Sequence, residues 1–324
     1  MMWRKFLKDP GGVLLDEGLR GIARLTAMHP AAKPSRYGVT VTQNVAFGAE
    51  PWQRLDIYAP KQARGIPLLY LHGGGFRILS KETHWAMALS FARRGYTVFV
   101  SSYRLAPKHP FPAGLEDAAE ALLWLHAHAK DYGLDANELV VAGESAGANL
   151  TVALAIATCW SRPEPYCQAI FQRGIALRAI LPACGMLQVS DPDHRGTPRG
   201  FLRDRIVVIE RDYLPPGRGP EITTSQAALA DVVSYLESAP QPARPLPPSL
   251  AIYGGKDPIR KDSERLTPAW TRLGGHAEHE LYPGQGHAFH AFVWTKSARA
   301  AWRRQHDFLD SVFGSAMKVV AAEA

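Results

Sequence analysis

The chain has 324 residues, 46% of them hydrophobic and 21% charged, with 37 Lys and Arg against 30 Asp and Glu. This is the composition of an ordinary globular protein, and it excludes a disordered chain, a coiled coil and a collagen-like repeat. No stretch approaches the roughly 20 apolar residues that cross a bilayer. The surplus of positive charge forms no basic block interleaved with aromatics, so neither an integral membrane protein nor a nucleic-acid binder is expected.

The first residues carry Arg4, Lys5 and Lys8 with no apolar core behind them, so no secretory leader is expected. Residues 1–36 read as one or two short amphipathic helices, broken at Pro10-Gly11-Gly12 and stopped by Pro30 and Pro34. Then strand and helix alternate. Val39–Phe47 and Gln53–Tyr58 have the period of half-buried strands. Pro67–Leu71, Thr97–Ser101 and Glu138–Ala142 are short apolar runs, as in strands buried on both faces. Arg178–Leu181, Ser249–Tyr253 and His279–Tyr282 read as three further strands, with helices at 263–273 and 297–312. Such alternation predicts a parallel sheet covered by helices on both faces. Residues 185–248 interrupt it, with five prolines between Pro240 and Pro248. A structureless loop of that length is unusual. The stretch reads as an inserted cap with a helix near 223–237.

Three cysteines, Cys159, Cys167 and Cys184, are too few for a disulfide framework and leave at least one thiol free. A reducing, cytoplasmic compartment is the natural expectation.

The sharpest chemical signal is Gly143-Glu144-Ser145-Ala146-Gly147, set between a strand and an apolar helical run. This is the G-x-S-x-G pattern in the strand–turn–helix context it requires. Small residues at 143 and 147 let a sharp turn thrust Ser145 outward in a strained backbone. The helix that follows points its positive end at the reacting centre. A second signal, His72-Gly73-Gly74-Gly75-Phe76, follows the strand Pro67–Leu71, and its glycines let backbone N–H groups approach a developing oxyanion. A serine nucleophile needs a base, and the base needs an orienting acid. Asp257 and His287 each follow a strand, in the order Ser145, Asp257, His287. His276, His279, His287 and His290 also cluster, but their spacing is that of solvent-exposed histidines rather than of a metal site.

These motifs resemble the hormone-sensitive-lipase-like branch of the α/β-hydrolases, which includes bacterial carboxylesterases and arylacetamide deacetylase. The resemblance rests on His72–Phe76, Tyr103-Arg104-Leu105-Ala106-Pro107, Gly143–Gly147, Pro247-Pro248, Asp257-Pro258-Ile259-Arg260 and His287-Ala288-Phe289, spanning residues from about 50 to 290. It implies an α/β-hydrolase fold with a mostly parallel eight-stranded sheet, helices on both faces and a helical cap. The cap would be residues 1–36 and 185–248, the core 37–184 and 249–324. It implies Ser145 as nucleophile, His287 as base and Asp257 as its orienter. The oxyanion hole would lie at the loop Gly73, Gly74, Gly75 and at Ala146, with the amides of Gly74, Gly75 and Ala146 as donors. His72 and Tyr103-Arg104 would steady the loop.

Two departures stand out. The family usually reads Asp-Pro-Leu-Arg-Asp-Glu, whereas here Arg260 is followed by Lys261-Asp262-Ser263, leaving Asp262 as a rival acid whose change to Asn is expected to cost little turnover. The elbow has Glu144 where Asp or Thr is frequent. The expected function is a serine carboxylesterase on short- to medium-chain acyl esters, with no cofactor and no metal. The alternatives are an amide-cleaving deacetylase of the same family or a non-catalytic small-ligand receptor on the same fold. The intact His287 favours the enzyme. The expected partner is a small ester substrate, and a homodimer stays open.

Overall fold

The computed structural model describes residues 9–191, 193–196, 200–214, 226–314 and 320–321. The basic residues Arg4, Lys5 and Lys8 and the first part of the helix expected at 223–237 lie outside them.

Eight strands form one sheet: β1 (Val39–Ala46), β2 (Arg54–Pro60), β3 (Pro67–Leu71), β4 (Thr97–Ser101), β5 (Val140–Glu144), β6 (Ala179–Ala183), β7 (Ser249–Gly254) and β8 (Ala277–Tyr282). Their order is β1-β2-β4-β3-β5-β6-β7-β8. Only β2 runs antiparallel to its neighbours β1 and β4. Every residue of β3 to β7 is buried, which is why these segments read as unbroken apolar runs instead of alternating ones. The helices α2 (Trp85–Ala92), α3 (Ala113–His128), α4 (Ala146–Cys159), α5 (Pro165–Gln172), α8 (Arg260–Arg272) and α9 (Lys296–Phe313) connect and cover the sheet. Helix α4 is buried on all sides, and its alanines let the helix pack closely against its neighbours.

Strand β5 begins two residues later than the sequence suggests. Ala136–Glu138 forms a 3-10 turn in which the Asp135 carboxylate accepts from the Asn137 amide at 2.9 Å, so Gly143 and Glu144 complete the strand. The sheet register then sets Leu71 beside Gly143 and Glu144 beside Ala183. The ends of β3, β5 and β6 therefore emerge side by side, and ligands on such sheets bind at the carboxyl ends of the strands.

At the N-terminus the expected break is instead a helix start. Helix α1 spans Pro10–Ala27, with Pro10 in its first turn and the Asp9 side chain accepting from the Gly12 amide at 3.0 Å. Proline there loses no hydrogen bond, because the first helical amides have no partner within the helix. Asp9 also pairs with Arg77 at 2.7 Å and with Arg205, while Arg77 pairs with Asp212 at 2.7 Å. Burial alone would raise the Asp9 carboxyl, but the two arginines and the Gly12 amide hold it down, to about 2. These ion pairs tie α1 and helix α6 (Phe201–Tyr213) to the segment just after the glycine loop. No helix was expected at 201–213. It turns Ile206 and Tyr213 inward, and Tyr213 stacks on Phe76 with ring centroids 3.7 Å apart. Helix α7 covers Val232–Ser238. Among the described residues no helix is long and apolar enough to cross a membrane.

Candidate active site

Ser145 sits between β5 and α4 with φ 54° and ψ −115°, a left-handed backbone that a non-glycine residue adopts only under constraint. The constraint is visible. Its amide donates to Ala183 O at 2.8 Å, and its carbonyl accepts from Asn149 and Met186, each at 3.2 Å. A Cβ on Gly147 would lie 2.0 Å from Leu71 O, and one on Gly143 would lie 2.5 Å from Gly147 O. Both glycines are thus required by close backbone approach. Helix α4 begins at Ala146, with Ser145 as its N-terminal flank.

Ser145 Oγ lies 3.0 Å from His287 Nε2, and His287 Nδ1 lies 2.8 Å from Asp257 Oδ2. Asp257 follows β7 and is 3% exposed, its other oxygen accepting from the Ile259 amide at 2.9 Å. The imidazole keeps 35% of its side chain open at the mouth of the site. Burial of the inner ring would depress its pKa, but the Asp257 charge and hydrogen bond, aided by the Glu144 charge, raise it above 6.5.

The glycine loop follows β3. Gly74 and Gly75 have φ of 113° and 58°, and a Cβ on Gly74 would lie 2.2 Å from Ile78 O. Among the described residues the amides of Gly74, Gly75 and Ala146 donate to no protein group. The Gly73 amide differs: it is turned inward, 3.2 Å from His84 Nε2. Gly73 thus belongs to the oxyanion loop without being one of its three expected donors. The loop's base is firm. His72 stacks on Tyr103 with centroids 4.2 Å apart, Tyr103 OH donates to His72 O at 2.7 Å, and Arg104 pairs with Asp117 at 2.9 Å. Complete burial, with the nearby His84, pushes the His72 imidazole down to about 3, so it stays neutral.

Asp262 lies elsewhere. It is fully buried, accepts from the Leu187 and Gln188 amides at 2.9 and 3.0 Å, and pairs with Arg195 at 2.7 Å and His194 at 2.8 Å. Burial would raise its carboxyl, but Arg195 and His194 hold it below the usual value. Asp262→Asn is still expected to cost little turnover, and its cost falls on stability instead. The change leaves the buried Arg195 charge without its counterion, so thermal unfolding should show a loss of about 3 kcal/mol, with turnover of the folded fraction preserved.

The histidine cluster divides. His276 and His279 are exposed as expected, but His290 is only 1% exposed, its Nε2 2.9 Å from Glu144 Oε2. Glu144 Oε1 in turn lies 2.8 Å from His84 Nε2. Sequence reasoning missed this buried trio. The signal available was a glutamate closing an otherwise apolar strand, which demands a buried basic partner. Among the described residues, ligand atoms of Cys184, Asp257 and His287 lie within 4.8 Å of one another. Asp257 and His287 already engage each other there, so the donor set serves proton transfer better than metal binding.

Comparison with known proteins agrees with this architecture. A profile of the alpha/beta hydrolase fold matches residues 68–291. An acetyl esterase of Salmonella typhi is 29% identical over 239 residues, covering 72% of this chain and 68% of its own. The crystal structure of the esterase LipW from Mycobacterium marinum superposes with a TM-score of 0.75 at 25% identity, covering 94% of this chain and 90% of its own. A hormone-sensitive lipase from a metagenome library superposes with a TM-score of 0.71 at 22% identity, covering 92% and 91%; at that identity it speaks for the fold alone.

Proposed function

We propose, from the premise that this chain belongs to the α/β-hydrolase fold family, that it acts on short- to medium-chain acyl esters through an acyl-enzyme on Ser145. The protein is a carboxylic ester hydrolase. One observation carries the mechanism: Ser145 Oγ, His287 and Asp257 form a continuous hydrogen-bonded chain beside three uncommitted backbone amides.

In this reading His287 Nε2 takes the Ser145 proton as Oγ attacks the ester carbonyl. Asp257 holds the Nδ1–H tautomer and stabilises the imidazolium that forms. The oxyanion receives the amides of Gly74, Gly75 and Ala146. Collapse of the tetrahedral intermediate expels the alcohol, which takes the proton from His287. Water, deprotonated by the same imidazole, then attacks the acyl-enzyme, frees the acid and restores Ser145.

The segments 1–36 and 185–248 together act as the cap that selects substrate. The Asp9 pairs to Arg77 and Arg205 support this, since they join both segments to the residue just after the glycine loop. Ile209 of α6 stands over Gly75, where a Cβ would lie 2.6 Å from its Cδ1, so α6 borders the space beside the oxyanion donors. A cytoplasmic location fits the three cysteines, all of them buried free thiols.

An uncharged fluorophosphonate tests the mechanism. It should modify Ser145 at one group per chain, read by mass spectrometry, and abolish hydrolysis of a series of p-nitrophenyl esters. Full labelling that leaves turnover intact, or labelling only at another residue, overturns it.

A further inference from the structure

The three catalytic segments converge behind the reacting groups on one carboxylate. Glu144 immediately precedes the nucleophile and is 5% exposed. Its Oε1 meets His84, in the 3-10 turn Lys81–His84 that follows the glycine loop. Its Oε2 faces His290, three residues after the base, at an ion-pair distance but off the ideal hydrogen-bond direction. Both imidazoles are buried, at 2% and 1% exposure, and the ring of His84 and the backbone of His290 are each held from outside. His84 Nδ1 faces Ser80 O at 3.1 Å and Thr83 Oγ1 at 2.9 Å, while the His290 carbonyl accepts from Trp302 Nε1 of α9 at 3.0 Å.

The glycine loop is packed against the same point. The Gly73 nitrogen lies 3.2 Å from His84 Nε2, and a Cβ on Gly73 would lie 2.9 Å from Glu144 Oε1. Gly73 directly precedes the two amides assigned to the oxyanion. A buried carboxylate is costly unless it is paired on both oxygens. Here the pairing comes from two catalytic loops rather than from one arginine. An Asp at this position is one methylene shorter and has correspondingly less reach toward the two histidines.

We propose that Glu144, with His84 and His290 as its arms, is a positioning residue that sets the oxyanion loop and the base-bearing loop in register with Ser145. The assignment rests on the serine-esterase reading above. It touches no substrate. Its work is to hold reacting groups within the distances that catalysis tolerates, where a misplacement of about 1 Å costs on the order of 100-fold.

The test is Glu144→Gln in the full chain, with p-nitrophenyl butyrate as substrate. The amide keeps the shape but loses the charge that gathers both histidines. With the protein folded by circular dichroism, kcat should fall about 10- to 100-fold while KM stays within about twofold. The rate of Ser145 phosphonylation should fall in parallel. Glu144→Asp, with the charge kept but the reach shortened, should lie between Gln and the parent. If Glu144→Gln does not fold, His290→Gln reads the same link from the base loop, with the same split expected. A folded Glu144→Gln enzyme with parental kcat overturns the proposal, and so does a loss in which KM and melting temperature move together with kcat. Failure of the underlying reading looks different, because the parent protein itself would then escape labelling at Ser145.

Discussion

Ser145→Ala should remove about 10⁵- to 10⁶-fold of kcat toward p-nitrophenyl butyrate, the scale seen when a serine hydrolase loses its nucleophile. The loss is that large because no neighbouring group replaces Oγ at the end of the His287–Asp257 chain. Slight hydrolysis above the background rate should survive, since the amides of Gly74, Gly75 and Ala146 still face the bound carbonyl. Folding should hardly change. Alanine has a Cβ like serine, so the strain at φ 54° is the same, and only one hydrogen bond, worth about 1 kcal/mol, is lost. Initial rates on purified variant, alongside its melting curve, check both halves. Turnover close to the parent's would show that another residue attacks the ester.

Asp257→Asn should cost about 10⁴-fold in kcat, because an asparagine amide stabilises the wrong imidazole tautomer while leaving the geometry in place. The variant also carries a pH signature. In the parent, burial pulls the His287 pKa down, but the charge and hydrogen bond of Asp257 outweigh it, so the imidazole titrates above 6.5. Activity needs the neutral base, so the parent's kcat/KM should rise with pH along a limb lying above 6.5 and then level off. Removing the carboxylate removes the raising influence and leaves the burial. The acid limb of the residual activity must therefore move to lower pH. A limb that stays put, or a loss of turnover that follows Asp262 instead, would refute the acid's assignment.

Most of the framework is legible in the sequence because it is local. Buried parallel strands announce themselves as apolar runs, and the elbow and glycine loop are fixed by backbone crowding that only glycine accepts. Boundaries were less legible. Asp135 closes a 3-10 turn that delays β5, and Pro10, which reads as a break, opens α1, since one residue type serves both ends of a helix. What stayed hidden is non-local. Glu144, His84 and His290 are 60 and 146 positions apart along the chain from one another at the carboxylate, and no spacing rule links them. The burial of His290 follows from Trp302 and Glu144 meeting around it, which only the assembled fold decides.

The crowding around the elbow also divides the chain into a part that can vary and a part that cannot. Gly143 and Gly147 admit no side chain, because Leu71 O and the backbone of the elbow occupy the space where a Cβ would go. The geometry of attack is thus set by main-chain packing between β3 and β5 and is indifferent to which ester is bound. Apart from one main-chain bond, Phe111 N–H to Tyr213 O at 2.7 Å, helix α6 is held through side chains: Tyr213 on Phe76, Ile209 above Gly75, and arginine–aspartate pairs at its edge. Those contacts can be exchanged one at a time without disturbing the strand ends. A variant library aimed at new acyl groups should accordingly be drawn from α6 and α1, where recognition can drift while the chemistry beneath it stays fixed.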